Sequence, residues 1–421
     1  MANMIRIDDL AKPKLTPEQQ AVWQYGESLT TDFSEAAVLT AAKQRTGLSD
    51  FGAQDFRQRL QLLLDEWGSD PLINNLHRAS LFNQLVRYAS NRLLIQDQWQ
   101  KHPEIADQQI KNPIIVAGLP RSGTTHLLNL LAADSRFRSL PLWESYEPVP
   151  LASEQATADS VVNSEEDPRF QRCAEQWLGM QRTTPLLAVM HPMNPEHIHE
   201  ELELMGPDFA SYNFEWLSPS PRWRDHYYAS DQTRHYEYMR DVLKLLQWRK
   251  GPPRWVLKCP QHLEQLPVLR KVFPDATLAV THRDPVAVIQ SAVTMIAYGQ
   301  RMNRHKIDLP QLIEYWSDRI EHLLRRCVED RKDQPEDKTI DVPFSVFMAD
   351  DMAMVEKIYQ RADIELTDKA RAEMQAFIDA NPRGKEGRMV YDLKGDFGVD
   401  PAALRERFSF YFEQFPVKAE I

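Results

Sequence analysis

Four short apolar runs, each followed by a helical pattern, constrain the fold of this chain more than any other feature. The runs are PIIVAG, RWVLK, ATLAVTH and KTIDVPF, which begin at residues 113, 254, 276 and 338. Short continuous apolar runs rich in β-branched residues are typical of strands that are buried on both faces. Their alternation with helices predicts an α/β fold, a parallel sheet flanked by helices. Ligands of such sheets bind at the carboxyl ends of the strands.

The segments outside these runs have helical patterns. Near the start, Thr16 is a predicted N-cap and Pro17 the first residue of a helix. We therefore expect a helical N-terminal region over residues 1–110, followed by one α/β domain over 111–421. Within that domain, residues from about 150 to 250 form a stretch too long for a simple connection. Its helical pattern and its Trp, Tyr, His and Pro content predict an inserted helical cap.

Charge and composition exclude several classes of function. A net charge of −11 argues against nucleic acid as a partner. The start of the chain lacks a signal-peptide pattern and no run of about 18 apolar residues occurs, so we expect a cytoplasmic protein without a transmembrane segment. Three widely spaced cysteines fit neither a disulfide framework nor a thiolate metal site. The sequence does not determine the oligomeric state, and a homo-oligomer is compatible with it.

The first predicted strand runs into a glycine-containing loop, GLPRSGTTH, at residues 118–126, which we call the phosphate loop after its predicted role. The two glycines permit a tight turn and bring backbone N–H groups close to an anion, beside the positive end of the next helix. A nucleoside triphosphatase has a lysine after the second glycine. Here Thr124 has that position and the cation, Arg121, lies inside the loop, which predicts a shorter anion held without magnesium. We expect the anion to contact Arg121, Ser122, Gly123, Thr124 and Thr125; a purely structural turn is the alternative.

A second phosphate element follows the third run. Arg283 leaves the predicted strand end, and Ser291 lies eight residues further on, about two helical turns away on a similar face. The guanidinium and the hydroxyl group are thus expected to converge on one phosphate. The alternative is an Arg283 paired with Asp284 and a Ser291 without a ligand.

Together these segments resemble the sulfotransferases, of the bacterial branch, that use 3′-phosphoadenosine 5′-phosphosulfate (PAPS). GLPRSGTTHLLNLL is similar to their 5′-phosphosulfate loop, and THRDPVAVIQS to their Arg-to-Ser element for the 3′-phosphate. WVLKCPQHL resembles their strand-end lysine segment, and NPRGKEGR their late basic glycine element. The resemblance extends from Pro113 to the C-terminal end, and it carries little information in the cap.

The resemblance implies a P-loop-like sulfotransferase core and an in-line transfer of a sulfuryl group. PAPS would be the donor, no metal would be needed, and the acceptor would be a hydroxyl group on a small or lipid-like molecule, an amine being less favoured. Lys258 is assigned to the bridging oxygen of the donor. Arg383, Gly384 and Lys385 are assigned to the 3′-phosphate, with a solvated basic turn as the alternative.

Two residues are candidates for the general base. Glu144 resembles the acidic base that several sulfotransferase branches place after the helix of the phosphate loop. His262 lies four residues beyond Lys258, whereas the histidine base of other branches lies two residues after that lysine. We place Glu144 first, with His262 assisting. The alternatives are a Glu144 paired with Arg138 and a packed His262.

Two further patterns in the sequence are less specific. In HIHEELE, His199 and Glu203 have helical i, i+4 spacing, but the second histidine of a zinc motif is missing, so no metal is expected. A series of aromatic residues in the cap either lines an apolar acceptor pocket or forms the core: Phe209, Tyr212, Phe214, Trp216, Trp223, Tyr227 and Tyr228. Two other functions stay as alternatives, a nucleotide-dependent kinase, which would need the missing lysine, and a non-catalytic nucleotide-binding protein.

Overall fold

A four-stranded parallel sheet lies at the centre of the computed structural model, which describes residues 4–251 and 254–421. The strand order is β3 (Val256–Cys259), β2 (Ile114–Gly118), β4 (Thr277–His282) and β5 (Thr339–Pro343). All four predicted runs form these strands, so the α/β fold is confirmed. The strands are β1 Met4–Arg6, β2 Ile114–Gly118, β3 Val256–Cys259, β4 Thr277–His282, β5 Thr339–Pro343 and β6 Arg388–Val390.

The register of the sheet brings the motif-bearing strand ends together. Gly118, the last residue of β2, pairs with Thr281 of β4, and Ala117 pairs with Cys259 of β3. Because the strands are parallel, their carboxyl ends meet at one edge. The phosphate loop therefore lies between Lys258 on one side and Arg283 on the other.

Helices cover both faces of the sheet and form the remainder of the chain. Before the sheet come α1 Pro17–Glu27, α2 Glu35–Thr46, α3 Phe56–Ser69 and α4 Asn75–Lys101, and after β2 comes α5 Thr124–Ala132. Between β2 and β3 lie α6 Leu142–Tyr146, α7 Gln155–Ser160, α8 Pro168–Thr183, α9 Pro185–Met190, α10 Leu202–Met205, α11 Asn213–Leu217, α12 Pro221–Ala229 and α13 Thr233–Arg249. The later helices are α14 Leu266–Val272, α15 Pro285–Gln300, α16 Leu309–Arg331, α17 Phe344–Phe347, α18 Asp351–Arg361, α19 Asp368–Ala380, α20 Leu393–Phe397, α21 Pro401–Glu406 and α22 Ser409–Gln414.

Two helix starts form as their sequences predict. Thr16 accepts a hydrogen bond from the backbone N–H of Gln19, whose side chain accepts one from the backbone N–H of Thr16, which completes a capping box. At α15, the Asp284 side chain accepts from the backbone N–H of Val286 at 2.9 Å. These caps satisfy donors that would otherwise lack partners in the first helical turn.

Two local features differ from the sequence prediction. The helical pattern that follows the run RWVLK begins as a 3-10 helix over Pro260–Glu264, and the α-helix begins only at Leu266. Pro267 explains the late start, because proline lacks a backbone N–H and fits the first helical turn but not the interior. The second feature is a parallel pairing of β1 with β6, which joins the start of the chain to a segment near its other end. A strand of three residues is too short to show a periodic pattern.

The cap predicted over residues 150–250 is helical, comprising α7 to α13, and it shares a hydrophobic core with the N-terminal helices. Phe209, Phe214 and Trp223 pack in one buried cluster with Leu60 and Tyr88 of α3 and α4. The division of the chain at residue 110 stays a prediction. Over residues 4–251 and 254–421, every helix is too short or too polar to cross a bilayer.

Candidate active site

A cavity of about 660 Å³ opens at the carboxyl edge of the sheet. Most of the sequence-predicted contact residues line it, although they come from four separate segments of the chain. The predicted residues in its wall are Arg121, Gly123, Thr124, Thr125, Lys258, Arg283, Arg383 and Gly384. The parallel sheet therefore assembles the predicted motifs around one space.

Close packing fixes the conformation of the phosphate loop. A Cβ atom on Gly118 would lie 1.8 Å from the Oγ1 atom of Thr281, so only glycine fits at the end of β2. Gly123 has a φ of 85°, in the left-handed region, and a Cβ there would lie 3.0 Å from the Phe344 ring. Arg121 also has a positive φ, of 64°. The loop thus has the tight, left-handed turns that let backbone N–H groups approach an anion.

The Ser122 hydroxyl group is used inside the loop. It donates to the backbone oxygen of Leu119 at 2.6 Å and lies 2.9 Å from the Thr281 hydroxyl group. Ser122 is buried and its side chain lies outside the cavity wall. Its side chain therefore stabilises the loop and joins it to β4, whereas the sequence predicted a direct contact with the anion.

Ser291 is hydrogen-bonded to Arg121, the cation inside the phosphate loop. Arg121 donates from Nε to the Ser291 hydroxyl at 3.0 Å, and this hydroxyl donates to Tyr391 at 3.0 Å. Arg121 also donates to the backbone oxygen of Met190. Ser291 lies behind Arg121 and outside the cavity wall, so the structure does not bring it together with Arg283 there, and their joint contact with one phosphate stays a prediction.

Arg283 is held by three neighbours at the cavity wall. It donates to the backbone oxygen of Arg121 at 2.5 Å and stacks 4.0 Å above the Phe344 ring. Both oxygens of the Glu420 carboxylate accept from its guanidinium group at 2.7 Å. The alternative pairing with Asp284 does not occur, because Asp284 caps α15 and bonds to Arg405. A carboxylate thus occupies the guanidinium edge that the sequence assigns to a phosphate.

Of the three residues predicted in the late basic glycine element, Arg383 and Gly384 line the cavity and Lys385 does not. Arg383 donates to Asp351 at 2.5 Å and remains 51% exposed in its side chain. Asp351 also contacts His126 at 2.8 Å, which links this loop to the helix of the phosphate loop. Lys385 points away, since its Nζ lies 3.3 Å from the backbone oxygen of Ala380. Lys385 lies outside the cavity wall.

Lys258 is buried at the cavity wall and pairs with a carboxylate that the sequence analysis missed. Its ammonium group donates to Glu200, and both side chains are nearly buried. The backbone N–H of Lys258 donates to Glu201 at 2.9 Å. The lysine expected to contact the leaving oxygen is therefore next to the loop and neutralised by Glu200.

The structure places both base candidates outside the cavity. Glu144 accepts from Arg138 at 2.6 Å, and the backbone of Arg138 pairs at the amino end of β3, opposite Lys258. His262 is fully buried between the Tyr236 hydroxyl group, at 3.0 Å, and Glu201. Glu144 thus forms the ion pair with Arg138 that we gave as its alternative, and its role as base stays a prediction. His262 likewise fits the alternative of a packed histidine.

A segment of the cap supplies the side chains that sequence analysis missed. Hydrogen bonds from Leu142 N–H to the His197 oxygen, 2.9 Å, and from His199 N–H to the Leu140 oxygen, 2.7 Å, fix this segment beside the phosphate loop. Glu200 and His199 consequently line the cavity, as does His191. The concentration of polar groups in HIHEELE was the available signal, but its position far from any strand gave no reason to place it there.

Three histidines of the segment that carries Glu200, namely His191, His197 and His199, are neutral. Burial and the nearby histidines and Lys258 hold the pKa of His199 well below its usual value, and burial with His197 does the same for His191. Burial lowers the pKa of His197 to about 4. Their rings lie 5.5 to 6.3 Å apart. Even so, among residues 4–251 and 254–421 no cluster of His, Cys, Asp or Glu has a geometry that could hold a metal ion.

Much of the cavity wall is apolar. Its apolar side chains include Met180, Met193, Trp216, Leu217 and Met295. Trp216 is the one member of the aromatic series in this wall. Five others are buried in the core, which was the alternative to lining the pocket: Phe209, Tyr212, Phe214, Trp223 and Tyr227. Tyr228 is not in the wall either, and it stacks on His322.

Comparison with known proteins gives a consistent result. The chain is similar to the crystal structure of sulfotransferase STF9 from Mycobacterium avium, with a TM-score of 0.81 and 26% identity over 93% of this chain and 99% of that one. It is also similar to sulfotransferase STF1 from Mycobacterium tuberculosis H37Rv, with a TM-score of 0.76 and 27% identity over 90% and 98% of the two chains. No curated protein matches. The profile of the Sulfotransferase family matches residues 113–368, which include the phosphate loop, Lys258 and Arg283. The chain belongs to the sulfotransferase family.

Proposed function

We propose that this sulfotransferase takes its sulfuryl group from PAPS and transfers it to a hydroxyl group of a small, largely apolar acceptor. The observation that carries the proposal is the pairing of two cationic groups of residues in one cavity. Lys258 and Arg121 accompany the phosphate loop, while Arg283 and Arg383 come from two other segments. PAPS has anionic groups at its 5′ and 3′ positions. The first pair of cationic residues suits the 5′ group and the second pair suits the 3′ group.

The phosphate loop is assigned to the 5′-phosphosulfate. Thr124 and Thr125 begin α5, so their backbone N–H groups and the positive end of that helix face the cavity. Lys258 is assigned to the oxygen that leaves with the phosphate, where negative charge grows during transfer. A cation in a buried place stabilises such charge more than it would in water.

Arg283, Arg383 and Gly384 are assigned to the 3′-phosphate. For Arg283 this requires the Glu420 carboxylate to leave the guanidinium group. The residues behind the wall have supporting roles in the proposal: Ser122 and Ser291 fix the loop and Arg121, and Lys385 stabilises the turn of Arg383 and Gly384.

The chemistry of the wall indicates the class of acceptor. Methionine and leucine side chains with one tryptophan form much of the cavity wall, so the body of the acceptor is apolar. Gln84 and Asn213 are uncharged polar side chains of the same wall and can orient a hydroxyl group. A strongly anionic acceptor or a long polar sugar chain does not match such a wall.

Ligand binding tests the donor assignment separately from catalysis. Adenosine 3′,5′-bisphosphate without magnesium should raise the free energy of unfolding by about 2.7 kcal/mol at a hundred times its Kd. We expect 5′-AMP to bind more weakly because it leaves Arg283 and Arg383 without a phosphate. Equal stabilisation by 5′-AMP, or stabilisation only by ATP with magnesium, would contradict the assignment.

A further inference from the structure

Among the residues that the structure describes, Glu200 is the one carboxylate of the cavity wall whose hydrogen-bonding partner is a residue assigned to the reaction. We propose that Glu200 is the general base of sulfuryl transfer, and that donor binding activates it by drawing Lys258 away. This inference rests on the proposed function, because it needs an anionic donor beside Lys258. Glu200 would contact the acceptor hydroxyl group directly.

The position of Glu200 supports this role. It lies in the wall together with Lys258 and Thr124, where phosphosulfate and acceptor must meet. It is about nine-tenths buried, so water competes little for its carboxylate. The titratable groups around it are Lys258, Glu201, Cys259 and the neutral histidines, and Glu200 itself helps to raise the pKa of Cys259.

The other proton acceptors in the wall are less suitable. Glu203 already accepts from Arg87, Tyr88 and Asn213 at 2.9 to 3.0 Å, so both of its oxygens are occupied. His191 and His199 are neutral, but a histidine whose pKa is far below neutral holds a transferred proton weakly. Only Glu200 combines access to the cavity with a partner that the donor can remove.

Donor binding changes the charges around Glu200 in the required direction. The phosphosulfate competes for Lys258, since its charge lies beside the same ammonium group. Once Lys258 contacts the donor, the Glu200 oxygen that had accepted from Lys258 can accept the hydrogen bond of the acceptor hydroxyl group. The base is thus neutralised in the free enzyme and becomes effective only in the complex.

The transfer step balances with these residues. The acceptor oxygen forms a bond to sulfur while the bond between sulfur and the bridging oxygen breaks. The hydroxyl proton passes to the Glu200 carboxylate, and the electron pair of the broken bond stays on the leaving phosphate, beside Lys258. The products are the sulfate ester, adenosine 3′,5′-bisphosphate and protonated Glu200.

The test compares Glu200→Gln with Glu144→Gln in single-turnover transfer from PAPS to 2-naphthol. Glutamine keeps the size of the side chain but cannot accept the proton. We expect E200Q to slow transfer about 10² to 10⁴-fold, the usual contribution of a positioned base. Its affinity for adenosine 3′,5′-bisphosphate should be unchanged or tighter, because Lys258 has lost its competing carboxylate. E144Q, which removes the carboxylate that the resemblance assigns as base, should transfer at close to the wild-type rate, and a rate defect in E144Q that E200Q lacks would overturn the proposal.

A series of phenols with increasing hydroxyl acidity separates a base from a structural residue. The rate defect of E200Q should shrink toward 4-nitrophenol, which already exists largely as its anion, whereas a structural defect would persist across the series. Wild-type transfer rates for E200Q, a constant defect across the phenols, or loss of bisphosphate binding would each overturn the proposal. A His199→Asn variant that abolishes transfer while E200Q keeps it would do the same. If the wild-type protein binds bisphosphate but transfers to no phenol, the proposed function fails instead.

Discussion

At the scale of single residues, Lys258 is the side chain on which the proposed chemistry depends most. Lys258→Ala should lower kcat by about two to three orders of magnitude, because it removes a buried cation from the oxygen that gains charge. Bisphosphate affinity should change less, since the loop and Arg283 remain. Single-turnover rates at saturating PAPS and a bisphosphate titration give the two values. A variant with near-normal turnover would exclude Lys258 from the mechanism.

Glu420 supplies a second prediction at this scale, because its carboxylate occupies the Arg283 guanidinium group. A 3′-phosphate has to displace it, so Glu420→Gln should bind adenosine 3′,5′-bisphosphate about fivefold more tightly, which corresponds to about 1 kcal/mol for a partly exposed pair. Glu413→Gln, an exposed change on the preceding helix, is the control. Calorimetric titration measures both. If E420Q weakens binding, Glu420 stabilises the site and does not compete for it.

The residue scale is also where sequence reasoning was least complete. It located Arg121, Lys258 and Arg283, because each follows a strand whose end is fixed by the parallel sheet. The resemblance predicts Glu144 as the base, and the structure has Glu144 outside the cavity wall and Glu200 within it. No pattern along the chain indicates which loop of a helical cap folds back over a sheet edge, since that depends on contacts such as the one between His199 and Leu140.

At the scale of elements, strands and capped helices were predictable and short or unusual elements were not. The apolar runs and the Asp284-Pro285 start of α15 have local signals that their surroundings do not override. The pairing of β1 with β6 has no such signal, because its partners are short and lie almost 400 residues apart, as Met4 and Arg388 show. Because β6 directly follows the loop of Arg383 and Gly384, we expect the pairing of β1 with β6 to hold this loop in position.

Arg6 tests that expectation. It extends from β1 to Asp396, whose two carboxylate oxygens accept from its guanidinium group at 2.6 Å. Arg6→Ala should loosen β6 and the adjoining loop, and so raise the Kd for adenosine 3′,5′-bisphosphate about fivefold, an effect of about 1 kcal/mol. The affinity for 5′-AMP should hardly change, and Lys12→Ala, an exposed change in the same segment, should alter neither. Equal weakening of both nucleotides by R6A would show a general loss of stability.

At the scale of the whole molecule, the N-terminal helices and the cap share one buried core. We expect the stability of this core to fall in acid. Burial lowers the pKa of His77 to about 4, and this histidine lies where α4 meets the backbone oxygen of Leu217. Between pH 6.5 and 4 the unfolded chain binds a proton at His77 and the folded chain does not. Stability is therefore lost as the pH falls through this range, by about 1.4 kcal/mol per pH unit for such a histidine.

Denaturant unfolding at pH 7.0 and 5.0 measures this effect. The loss of stability should be smaller in His77→Gln than in the wild-type protein, because other buried histidines remain in both and cancel in the comparison. The same pH dependence in both proteins would show that His77 is not held neutral in the folded state.

Transfer of the sulfuryl group is the most direct test of the account as a whole. The protein is incubated with PAPS, without magnesium and with EDTA, in the presence of a library of apolar alcohols and phenols. We predict adenosine 3′,5′-bisphosphate and, in equal amount, an acceptor whose mass has increased by one SO₃ group, both strongly reduced in the Lys258→Ala protein. Bisphosphate release that no acceptor accelerates, or phosphorylation of an acceptor from ATP with magnesium, would contradict the account.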